Sequence, residues 1–527
     1  MPPNAMADRD DPPTWSRPEL LALLLLPLIK LAIHLWVGTG WGWFRDELYY
    51  MACADRLDWG YVDHPPLSIA LLAGWRAVFG SSLEAVRAIP AVAGAMLVLF
   101  TGLLTRRLGG GSYAMVLAML AIIVSPMHFG LNHFMSMNAI ELVFWAGAAL
   151  LVIGLLERPT TVRWLALGVV IGLGLLNKYS MSWFAGGLAV GLVMTPHRRQ
   201  ILTRGPWLAA LAAGVMPIPH LLWQIAHDWP TREFMHNAAT MKMVETPTLD
   251  FLGQQILSHN PFLAPLWMAG LFWLLFAPSS RRWAPLAWIY LATLVLLLIS
   301  GRSRPNYLTP AYPPLFAAGA VAFCAGISKL AERNTGRLPQ ILSGAAILFV
   351  VATGFLLAPL ALPILSVDDQ VRYAARLGIA PRTSERTRVR RLSQHFADQV
   401  GWQAMVSEVA RAWNTLAPED RARAAIYTSN YGQAGAIQVL GPAHGLPRPI
   451  CGHNNYWLWG PGDWSGEVLV LYGDSREEAE SAFEDVTEIG RVHCPDCMPY
   501  EDDNPILLCR RPKWGVVELW PLTKEYQ

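Results

Sequence analysis

Residues 20–37 read LLALLLLPLIKLAIHLWV, and this stretch decides the class of fold. A membrane-spanning helix needs about 20 mainly apolar residues, and the run is close to that length. It carries Lys30 and His34. A signal peptide would be followed by a small-residue cleavage site, and no clear site of this kind follows the run. We therefore interpret the run as a helix that is retained in the membrane.

The composition of the whole chain also fits a membrane protein. Of its 527 residues, 53% are hydrophobic and 15% are charged, whereas soluble domains carry about 25% charged residues. The 23 Trp residues agree with this class, because Trp collects at membrane–water interfaces. The formal net charge of +2 gives no field that would attract nucleic acid, so no nucleic-acid partner is expected.

Further apolar runs predict a polytopic α-helical membrane protein with about eleven transmembrane helices. Residues 65–80 are apolar but short and carry Trp75 and Arg76, so they predict a helix that lies in the membrane interface. The longer runs after the first one cover residues 86–105, 112–128, 137–156, 163–177, 180–195, 206–226, 262–277, 283–300, 310–328 and 340–363.

Basic residues fall in alternate loops and predict the orientation. By the positive-inside rule, loops rich in Lys and Arg are cytoplasmic, and with an odd number of spans residues 364–527 lie outside. We expect a multi-pass protein of the bacterial inner membrane, with its active site and tail on the periplasmic side. The basic residues are Arg106, Arg107, Arg158, Arg163, Arg198, Arg199, Arg204, Arg281, Arg282, Lys329, Arg333 and Arg337, and the external loops are 39–85, 128–136, 177–178, 228–261 and 301–309.

The tail differs in kind from residues 1–363, which form the predicted transmembrane domain. Residues 424–428 and 467–472 read as strands and residues 476–489 as a helix, so residues 364–527 predict a small α/β domain. An external tail permits disulfides, and we expect two, with the pairing open. The Cys494–Cys497 pair could instead be a redox motif or half of a zinc site. The tail cysteines are Cys451, Cys494, Cys497 and Cys509, whereas Cys53 and Cys324 are expected to be unpaired.

The first external loop carries the most concentrated set of chemical groups. Arg45-Asp46-Glu47 is followed by Gly60-Tyr61-Val62-Asp63-His64-Pro65-Pro66-Leu67, so acidic residues and a histidine lie among aromatic residues near the bilayer. A solvated loop with aromatic anchors is one interpretation. The order and spacing of these residues favour a second one.

The loop closely resembles that of the GT-C class of lipid-phosphate-sugar-dependent glycosyltransferases, in the branch of the bacterial aminoarabinose transferases and protein O-mannosyltransferases. Asp46-Glu47 and the Asp63–Leu67 segment match the two parts of the family's first external loop. The resemblance covers roughly residues 40–320. It continues at Leu175-Leu176-Asn177-Lys178, at Ser258-His259-Asn260-Pro261-Phe262, and from Arg302 and Arg304 to Pro314, and two tail phrases, 430–436 and 452–460, look like a tail of one bacterial subgroup.

The resemblance implies an inverting sugar transfer from a polyprenyl-phosphate donor to an acceptor hydroxyl. Asp46 would accept the hydroxyl proton, and Glu47 is the alternative because sequence alone does not separate adjacent carboxylates. The leaving phosphate requires fixed positive charge, or donors that bind it. The candidate substrate-binding residues are Tyr61, His64, Lys178, Arg302, Arg304, Asn306 and Tyr307.

The resemblance also implies a divalent metal ion, with Asp63 and His259 as its ligands. A structural hydrogen bond between the two is the alternative, since two ligands do not identify a metal. The sequence departs from the family pattern at His64, where Lys or Arg is frequent, at Asn138, where Asp is frequent, and at Tyr179, where Gly is frequent.

The implied partners are the lipid-linked donor, a glycolipid, glycan or protein acceptor, and membrane lipids. Two other function classes compete with the enzyme. A secondary transporter is less favoured because no paired half-repeat or broken-helix pattern is visible. An envelope scaffolding or binding protein would make the tail the working part and leave the loop inert.

Overall fold

Helices make up most of the chain before residue 364 in the computed structural model, which describes residues 15–333 and 336–527. The α-helices of this part are α1 Arg17–Val37, α2 Arg45–Ala54, α3 Leu67–Phe79, α4 Leu83–Arg107, α5 Ser112–Ile123, α6 Pro126–Leu131, α7 Met137–Glu157, α8 Thr161–Asn177, α9 Met181–Val193, α10 Arg204–Val215, α11 Ile218–Ala226, α12 Pro230–Asn237, α13 Thr248–Ser258, α14 Ala264–Phe276, α15 Ala284–Ser300, α16 Tyr312–Arg333 and α17 Leu338–Leu357. Short 3-10 turns lie at Pro196–Leu202, Pro261–Leu263, Arg281–Trp283, Pro305–Ala311 and Ala358–Leu360, and a π-helical turn at Ala238–Lys242.

Hydroxyl side chains begin several of the long helices. Ser16, Ser82, Ser136 and Thr160 each accept a hydrogen bond from a backbone N–H in the first turn of α1, α4, α7 and α8. At α1 the Glu19 carboxylate also accepts from the Ser16 N–H, which completes a capping box. The first turns of a helix leave N–H groups without partners inside the helix, and these caps satisfy some of them.

Every apolar run predicted to span the membrane is helical. Within the described residues, six helices are long and apolar enough to cross a bilayer, and α10 with α11, bent by 42°, makes a seventh candidate. The other four runs form the shorter apolar helices α5, α8, α9 and the segment Pro261–Phe276. The chain is thus a polytopic α-helical membrane protein, and the count of eleven spans stays a prediction.

The predicted short helix in the first external loop is confirmed as α3. The Arg76 guanidinium near its end lies 3.0 Å from Asp55 and donates to the Met51 carbonyl at 3.1 Å, which ties α3 to α2. The loop is therefore a pair of joined helices between α1 and α4. This arrangement agrees with the predicted helices in that loop.

Loops predicted on the same side contact one another. Arg106, in a loop predicted to be cytoplasmic, lies 3.0 Å from Glu19 at the start of α1, and Arg107 lies 3.3 Å from Glu157 at the end of α7. On the other side, the Asn237 side chain donates to the Tyr526 carbonyl at 2.9 Å, so loop 228–261 meets the tail. These contacts therefore agree with the two predicted sets of loops.

The tail contains a five-stranded mixed sheet in the order β2-β1-β3-β5-β4. β1 pairs in parallel with β2 and β3, whereas β5 pairs antiparallel with β3 and β4. The elements are α18 Val367–Arg376, α19 Gln394–Ala397, α20 Trp402–Asn414, α21 Pro418–Arg421, β1 Ala424–Thr428, α22 Tyr431–Leu440, β2 Ile450–Cys451, α23 Asn455–Trp459, β3 Val468–Tyr472, α24 Arg476–Ala482, β4 Phe483–Val492, β5 Asn504–Pro512 and α25 Val516–Leu519.

The predicted α/β character of the tail and two of its strands are confirmed, but the helix expected over 476–489 is wrong beyond Ala482. From Phe483 onward the chain is strand β4, paired with β5 from Phe483–Pro512 to Val492–Asn504. Val486, Thr487 and Ile489 are β-branched residues that suit a strand. The partner strand lies at 504–512, so the pattern within 476–489 alone does not reveal the pairing.

The expectation of two disulfides in the tail is also wrong, because one forms. Cys494 is bonded to Cys497, whereas Cys451 and Cys509 are free and buried, as is Cys53; Cys324 is free too. Cys451 lies in β2 and Cys509 in β5, which stand three strand spacings apart in the sheet. That separation is about 14 Å, beyond the roughly 7 Å between Cα atoms that a disulfide can bridge.

The tail sheet has a core on each face, and the membrane-side loop contributes to one of them. On one face, Trp402 and Val406 of α20 pack with Ile426, Val470 and Leu508. Leu48 of α2, fully buried, belongs to the same cluster. The first external loop and the tail therefore share a hydrophobic core, and this contact fixes where the polar residues of α2 point.

Candidate active site

The first turn of α2 sets out the charged residues of the site. Arg45, Asp46 and Glu47 are the first three residues of the helix, and the Phe44 N–H donates to the Glu47 Oε2 at 2.9 Å. Consecutive residues of a helix project about 100° apart. Asp46 and Glu47 are therefore neighbours in sequence that face different parts of the protein.

Glu47 faces inward and is fully buried. Its carboxylate accepts from the Arg87 guanidinium at 2.9, 3.1 and 3.2 Å, and from the Met135 N–H at 2.8 Å, in addition to the Phe44 N–H. Both oxygens are thus occupied by protein donors. Such a carboxylate is suited to holding helices together and has no free lone pair aimed at a substrate, so the geometry does not favour Glu47 as the base.

Arg87, from α4, extends this anchor beyond Glu47. Its guanidinium donates to the carbonyls of Gly38 and Gly42, each at 2.6 Å, and lies 3.5 Å from the Gln399 side-chain oxygen of the tail. One buried cation therefore connects the end of α1, the start of α2, α4 and the tail. A buried charge with this many partners stabilises the arrangement only while all of them are present.

Asp46 has the opposite surroundings. Its side chain is 37% exposed, and its Oδ1 accepts a hydrogen bond from the Tyr431 hydroxyl at 2.9 Å and lies 3.6 Å from the Arg45 Nε. Both partners reach the same oxygen. Across the described residues, no hydrogen bond reaches Oδ2, so this oxygen can accept one from an incoming group.

Three cations cluster around Glu385, and one of them, Arg45, also lies beside Asp46. The Glu385 carboxylate of the tail lies 2.8 Å from Arg304, 3.6 Å from Arg45 and 3.9 Å from Lys242. Burial alone would raise the pKa of Glu385, but the three cations outweigh it and lower that pKa to about 2. Glu385 is therefore a fixed negative charge that holds three basic side chains from different parts of the chain together.

The same cluster continues into the tail through Arg45. Its guanidinium donates to the Tyr500 hydroxyl at 2.7 Å and lies 3.8 Å from the Asp398 carboxylate. Burial raises the pKa of Asp398 to about 6, although Arg45 opposes this shift. Lys242 sits next to Glu385, yet its burial lowers the pKa of its ammonium. Two of the groups around Asp46 thus have perturbed proton affinities, as is common at functional sites.

The Asp63–Pro66 segment packs against the same helix. The Tyr49 hydroxyl donates to Asp63 Oδ1 at 3.0 Å, and burial raises the pKa of Asp63. His64 is fully buried, with its Nε2 3.7 Å from Asp63. Tyr61 is also fully buried, and its hydroxyl lies 3.3 Å from the Arg56 carbonyl. Tyr61 and His64 are therefore fixed inside the loop, and neither side chain reaches the open side of Asp46.

Lys178 and Tyr307 come together, as the sequence predicts for residues of one site. The Lys178 ammonium lies 2.6 Å from Glu141 Oε2 and 2.8 Å from the Asn138 side-chain oxygen, and 5.3 Å above the Tyr307 ring. Ser180 donates to the other oxygen of Glu141. Lys178 is thus already paired with a buried carboxylate.

Of the two arginines after α15, only Arg304 joins the cluster around Glu385. Arg302 donates to the Ala239 carbonyl and to Glu245, each at 2.8 Å, and Glu245 is largely exposed. Arg302 therefore fixes the loop before α13. Asn306 is half-buried in the 3-10 turn Pro305–Ala311, next to Tyr307.

The two predicted metal ligands do not form a metal site. The ring nitrogens of His259 lie 3.0 Å from the Gln255 carbonyl and 3.1 Å from the Thr309 hydroxyl, and the ring stacks on Tyr312. Asp63 has Tyr49 and His64 as its partners. Within the described residues, no group of three or more His, Cys, Asp or Glu side chains could hold a metal ion. The residues present do not fit the metal, and the alternative Asp63–His259 hydrogen bond does not form either.

The aromatic segment of the tail, residues 454–459, packs onto the loop below it. The Asn455 side-chain oxygen lies 3.0 Å from the Tyr49 hydroxyl and accepts from the Val62 N–H at 2.7 Å. Tyr456 is buried. These contacts link α23 with both the α2 helix and the Asp63 segment.

Sequence reasoning missed three members of the site, namely Tyr431, Lys242 and Glu385. Tyr431 lies in a phrase, 430–436, that resembles a family tail, and this was the only signal that pointed to it. Lys242 and Glu385 stand in segments with no motif. Their roles depend on contacts between parts of the chain that are far apart in sequence.

Comparisons with known proteins agree with this architecture. Residues 63–223 match the family model described as Dolichyl-phosphate-mannose-protein mannosyltransferase. The lipid A galacturonosyltransferase RgtD of Rhizobium johnstonii is 25% identical over 327 residues, which are 59% of this chain and 66% of that protein. The undecaprenyl phosphate-alpha-4-amino-4-deoxy-L-arabinose arabinosyl transferase of Pseudomonas aeruginosa is 26% identical over 334 residues, 57% of this chain and 58% of that protein.

The sequence matches thus span less than two thirds of each of these relatives, whereas the structural match is nearly complete. The crystal structure of ArnT from Cupriavidus metallidurans bound to undecaprenyl phosphate has a TM-score of 0.59 with this chain, at 16% identity, and the match covers 93% of this chain and 98% of that one. This likeness shows the fold, which includes the tail. The predicted resemblance to the GT-C glycosyltransferases is therefore confirmed in sequence and in fold.

Proposed function

We propose that the chain is an inverting glycosyltransferase that moves a sugar from a polyprenyl-phosphate donor to an acceptor hydroxyl. The observation that carries the proposal is the contrast within α2. Glu47 is saturated by protein donors, whereas Asp46 keeps one carboxylate oxygen open next to a cluster of three cations that includes Arg45. A base with an open oxygen and fixed positive charge nearby are the two things that this transfer requires.

The reaction follows from that arrangement. The acceptor oxygen attacks the anomeric carbon while Asp46 takes the hydroxyl proton, and the bond between that carbon and the phosphate oxygen breaks. The polyprenyl phosphate leaves with the bonding electron pair on its phosphate oxygen, and the configuration at the sugar inverts. In this proposal Asp46 is the base, and the adjacent Glu47 holds the helices together.

The charge around Asp46 suits the leaving phosphate. Arg45, Lys242 and Arg304 supply three positive charges, and Glu385 and Asp398 supply two negative ones. One positive charge is left to face Asp46. When Asp46 takes up the proton, its negative charge is lost and one develops on the phosphate, so the same cations can stabilise the product without rearranging.

The distribution of basic residues among the loops supports a site outside the cytoplasm. The Arg-rich loops contact one another at one end of the helices, and Asp46, the cation cluster and the tail lie together in the other group of loops. By the positive-inside rule the first group is cytoplasmic. The proposed site and tail therefore face the periplasm of a bacterial inner membrane.

The acceptor is a hydroxyl of a glycolipid, glycan or protein. The relative named as a lipid A galacturonosyltransferase makes lipid A the first acceptor to test. The sugar is to be identified with a panel of radiolabelled undecaprenyl-phosphate sugars. Release of undecaprenyl phosphate and labelling of lipid A are the two products to measure.

Donor recognition can be tested without knowing the sugar. Undecaprenyl phosphate should raise the melting temperature of the purified protein in nanodiscs, because a ligand that binds only the folded state stabilises it. Undecaprenol, which lacks the phosphate, serves as the control lipid and should have no comparable effect. Equal effects of the two lipids would show that the phosphate is not recognised and would overturn the proposed donor class.

Variants of two neighbouring arginines test where the phosphate binds. Arg304→Gln should require about tenfold or more undecaprenyl phosphate for the same stabilisation, since hydrogen bonds to charged groups contribute roughly 1.5–3 kcal/mol. Arg302→Gln is the matched control, because Arg302 is paired with Glu245 outside the cluster. It should need no more than about twice the wild-type amount. The reverse ranking would move the phosphate site to Arg302.

A further inference from the structure

Tyr431 brings a residue of the tail into the proposed active site. It is the first residue of α22, and its hydroxyl donates to Asp46 Oδ1 at 2.9 Å across 385 positions of sequence. Its side chain is nearly buried. The contact therefore joins the two parts of the chain at the carboxylate proposed to act as base.

The start of α22 is fixed by a set of buried hydrogen bonds. The Asn430 side-chain oxygen caps the helix by accepting from the Gln433 N–H at 3.0 Å. The side-chain amides of Asn430 and Gln433 each donate to the Glu501 carboxylate at 2.8 Å. The backbone of Tyr431 lies between these residues, so its position is determined by the tail itself.

Two glycines allow α22 to approach α2 closely enough for the contact. A Cβ atom at Gly435 would lie 2.7 Å from the carbonyl carbon of Leu48, and one at Gly432 would lie 2.6 Å from the Arg45 Cγ. A larger residue at Gly435 would have to move the helix backbone, and one at Gly432 would have to displace the Arg45 side chain. The phrase at 430–436 thus has a physical purpose, which is to seat Tyr431 beside Asp46.

The ring of Tyr431 is held on several sides. The Arg45 guanidinium lies 5.4 Å and the Lys242 ammonium 5.8 Å from its centroid, and the rings of Tyr49 and His453 lie 4.9 and 4.8 Å away. Cations over a tyrosine ring are attracted to its face. The hydroxyl therefore points at Asp46 from a ring that has little freedom to turn.

We infer that Tyr431 is a positioning residue for the proposed base, and that the C-terminal domain completes the active site. This inference rests on the proposed function. Tyr431 and Arg45 both reach Oδ1 of Asp46, which restrains the carboxylate and leaves Oδ2 without a hydrogen bond from the described residues, so Oδ2 is the oxygen that we assign to the acceptor. A base must be within hydrogen-bond reach of the proton it removes, and this anchor sets that direction.

The test compares two Tyr→Phe variants of the tail. Tyr431→Phe removes the hydroxyl that reaches Asp46, whereas Tyr456→Phe, the matched control, removes one that donates to Gln438 at 3.0 Å. Both rings are buried at the junction of loop and tail. With a radiolabelled undecaprenyl-phosphate sugar and lipid A, Tyr431→Phe should lower kcat about tenfold and change the KM for donor less than twofold. Tyr456→Phe should match the wild type.

The pH profile separates positioning from simple support of the fold. A carboxylate that loses a hydrogen bond is protonated more readily, so the acidic limb of kcat in Tyr431→Phe should move to higher pH. The control should keep the wild-type limb. The charged and titratable groups that face Asp46 are Arg45 and Tyr50 from α2, Tyr431 from α22, Lys242, Asp63 and Asp398.

Each outcome decides the inference. A wild-type kcat and pH limb in Tyr431→Phe overturn the positioning role while the proposed function stands. A lower kcat without movement of the limb, accompanied by a lower melting temperature, assigns Tyr431 to structure alone and also overturns it. If the wild type releases no undecaprenyl phosphate from any donor, the proposed function fails and the positioning role fails with it.

A second variant disturbs the contact between Tyr431 and Asp46 without changing either residue. Gly435→Val should push α22 away from α2, lowering kcat and moving the acidic limb in the same direction as Tyr431→Phe, although it alters neither Asp46 nor Tyr431. A variant that stays folded, as shown by a single monodisperse peak, and keeps both wild-type kcat and limb would contradict the proposed role of the helix approach.

Discussion

Two adjacent carboxylates on one helix turn have opposite surroundings, and the difference shows how one turn presents both a buried anchor and an open carboxylate. Glu47 points into the helices and is held by Arg87, Met135 and Phe44, with no exposure to solvent. Asp46 points to the junction with the tail and has donors on one oxygen only. The turn of about 100° between neighbouring helix residues gives the two residues of one dipeptide these different surroundings.

The two centres also differ in what they connect. The Glu47–Arg87 centre ties α1, α2 and α4 together through short bonds to carbonyls. The Asp46 centre collects side chains from the loop before α13, from the start of the Pro305–Ala311 turn and from the tail, all around Glu385. The first centre fixes the position of α2, and the second surrounds its open carboxylate with charge.

The largest effect is expected at Asp46, where a substitution tests the contrast with Glu47 most directly. Asp46→Asn keeps the shape and an acceptor for Tyr431 but removes the base, so turnover should fall about 10²–10⁴-fold. The melting temperature should change little, because the Asp46 side chain is partly exposed and, unlike that of Glu47, is not enclosed by donors on both oxygens. The measurement is release of undecaprenyl phosphate beside a melting curve. Turnover equal to the wild type would show that Asp46 is not the base.

Glu47→Gln should show the reverse signature. It leaves the buried Arg87 cation without its charged partner, which costs about 3–5 kcal/mol of folding free energy in comparable buried pairs. The folded fraction should drop strongly, while turnover per folded molecule falls by less than tenfold. Size-exclusion profiles and activity normalised to folded protein give both values. Loss of turnover in a fully stable Glu47→Gln protein would reverse the assignment of the two carboxylates.

Much of this arrangement was accessible from sequence because it depends on local patterns. Apolar runs are long enough to predict helices, and all of them are helical. Basic residues in alternate loops predicted two groups of loops, and each group is joined by contacts such as Arg106–Glu19 and Asn237–Tyr526. The Asp46-Glu47 pair and Asp63–Leu67 were recognisable because their members are close together in the chain.

The remaining features depend on contacts that no local pattern contains. The choice between Asp46 and Glu47 is made by Arg87, which lies 40 positions from Glu47 in sequence, and by Tyr431, which lies 385 positions from Asp46. Glu385 and Lys242 have no motif and gain their roles only when three distant segments meet. In the same way, the free Cys451 and Cys509 follow from a strand order that sequence does not give.

A smaller effect is expected at Gly401, where the tail reaches both centres. The turn before α20 brings the Asp398 carbonyl to the Arg45 N–H at 3.0 Å and the Gln399 side chain toward Arg87. Gly401 has φ +94°, and a Cβ there would lie 2.5 Å from the Cys494 sulfur and collide with Cys497 as well. Gly401→Ala should therefore lower stability by about 1–3 kcal/mol.

The matched control for that substitution is Gly378→Ala. Gly378 also has a positive φ, +68°, but nothing lies within 4 Å of an added Cβ. Gly378→Ala should lose only the free energy of holding an L residue at positive φ, about 1 kcal/mol. Melting curves of the two variants in the same detergent make the comparison. Equal losses at the two glycines would mean that the contact with the Cys494–Cys497 disulfide contributes nothing to the junction.

The smallest expected effect is a pH dependence that belongs to the Asp46 centre. Burial raises the pKa of Asp398 from 3.8 to about 6, so the folded state holds this proton more tightly and loses stability as pH rises from about 4 to about 6. Asp398→Asn removes that slope, and the melting temperature of the variant minus that of the wild type should increase over this range and then level off. Glu385, with its pKa lowered from 4.5 to about 2, stays charged in the folded state but is protonated in the unfolded state at the low end of this range. It therefore adds a slope of opposite sign below about pH 5.5, which is common to variant and wild type and cancels in the difference. A difference independent of pH between 4.5 and 8 would show that Asp398 does not titrate beside Arg45.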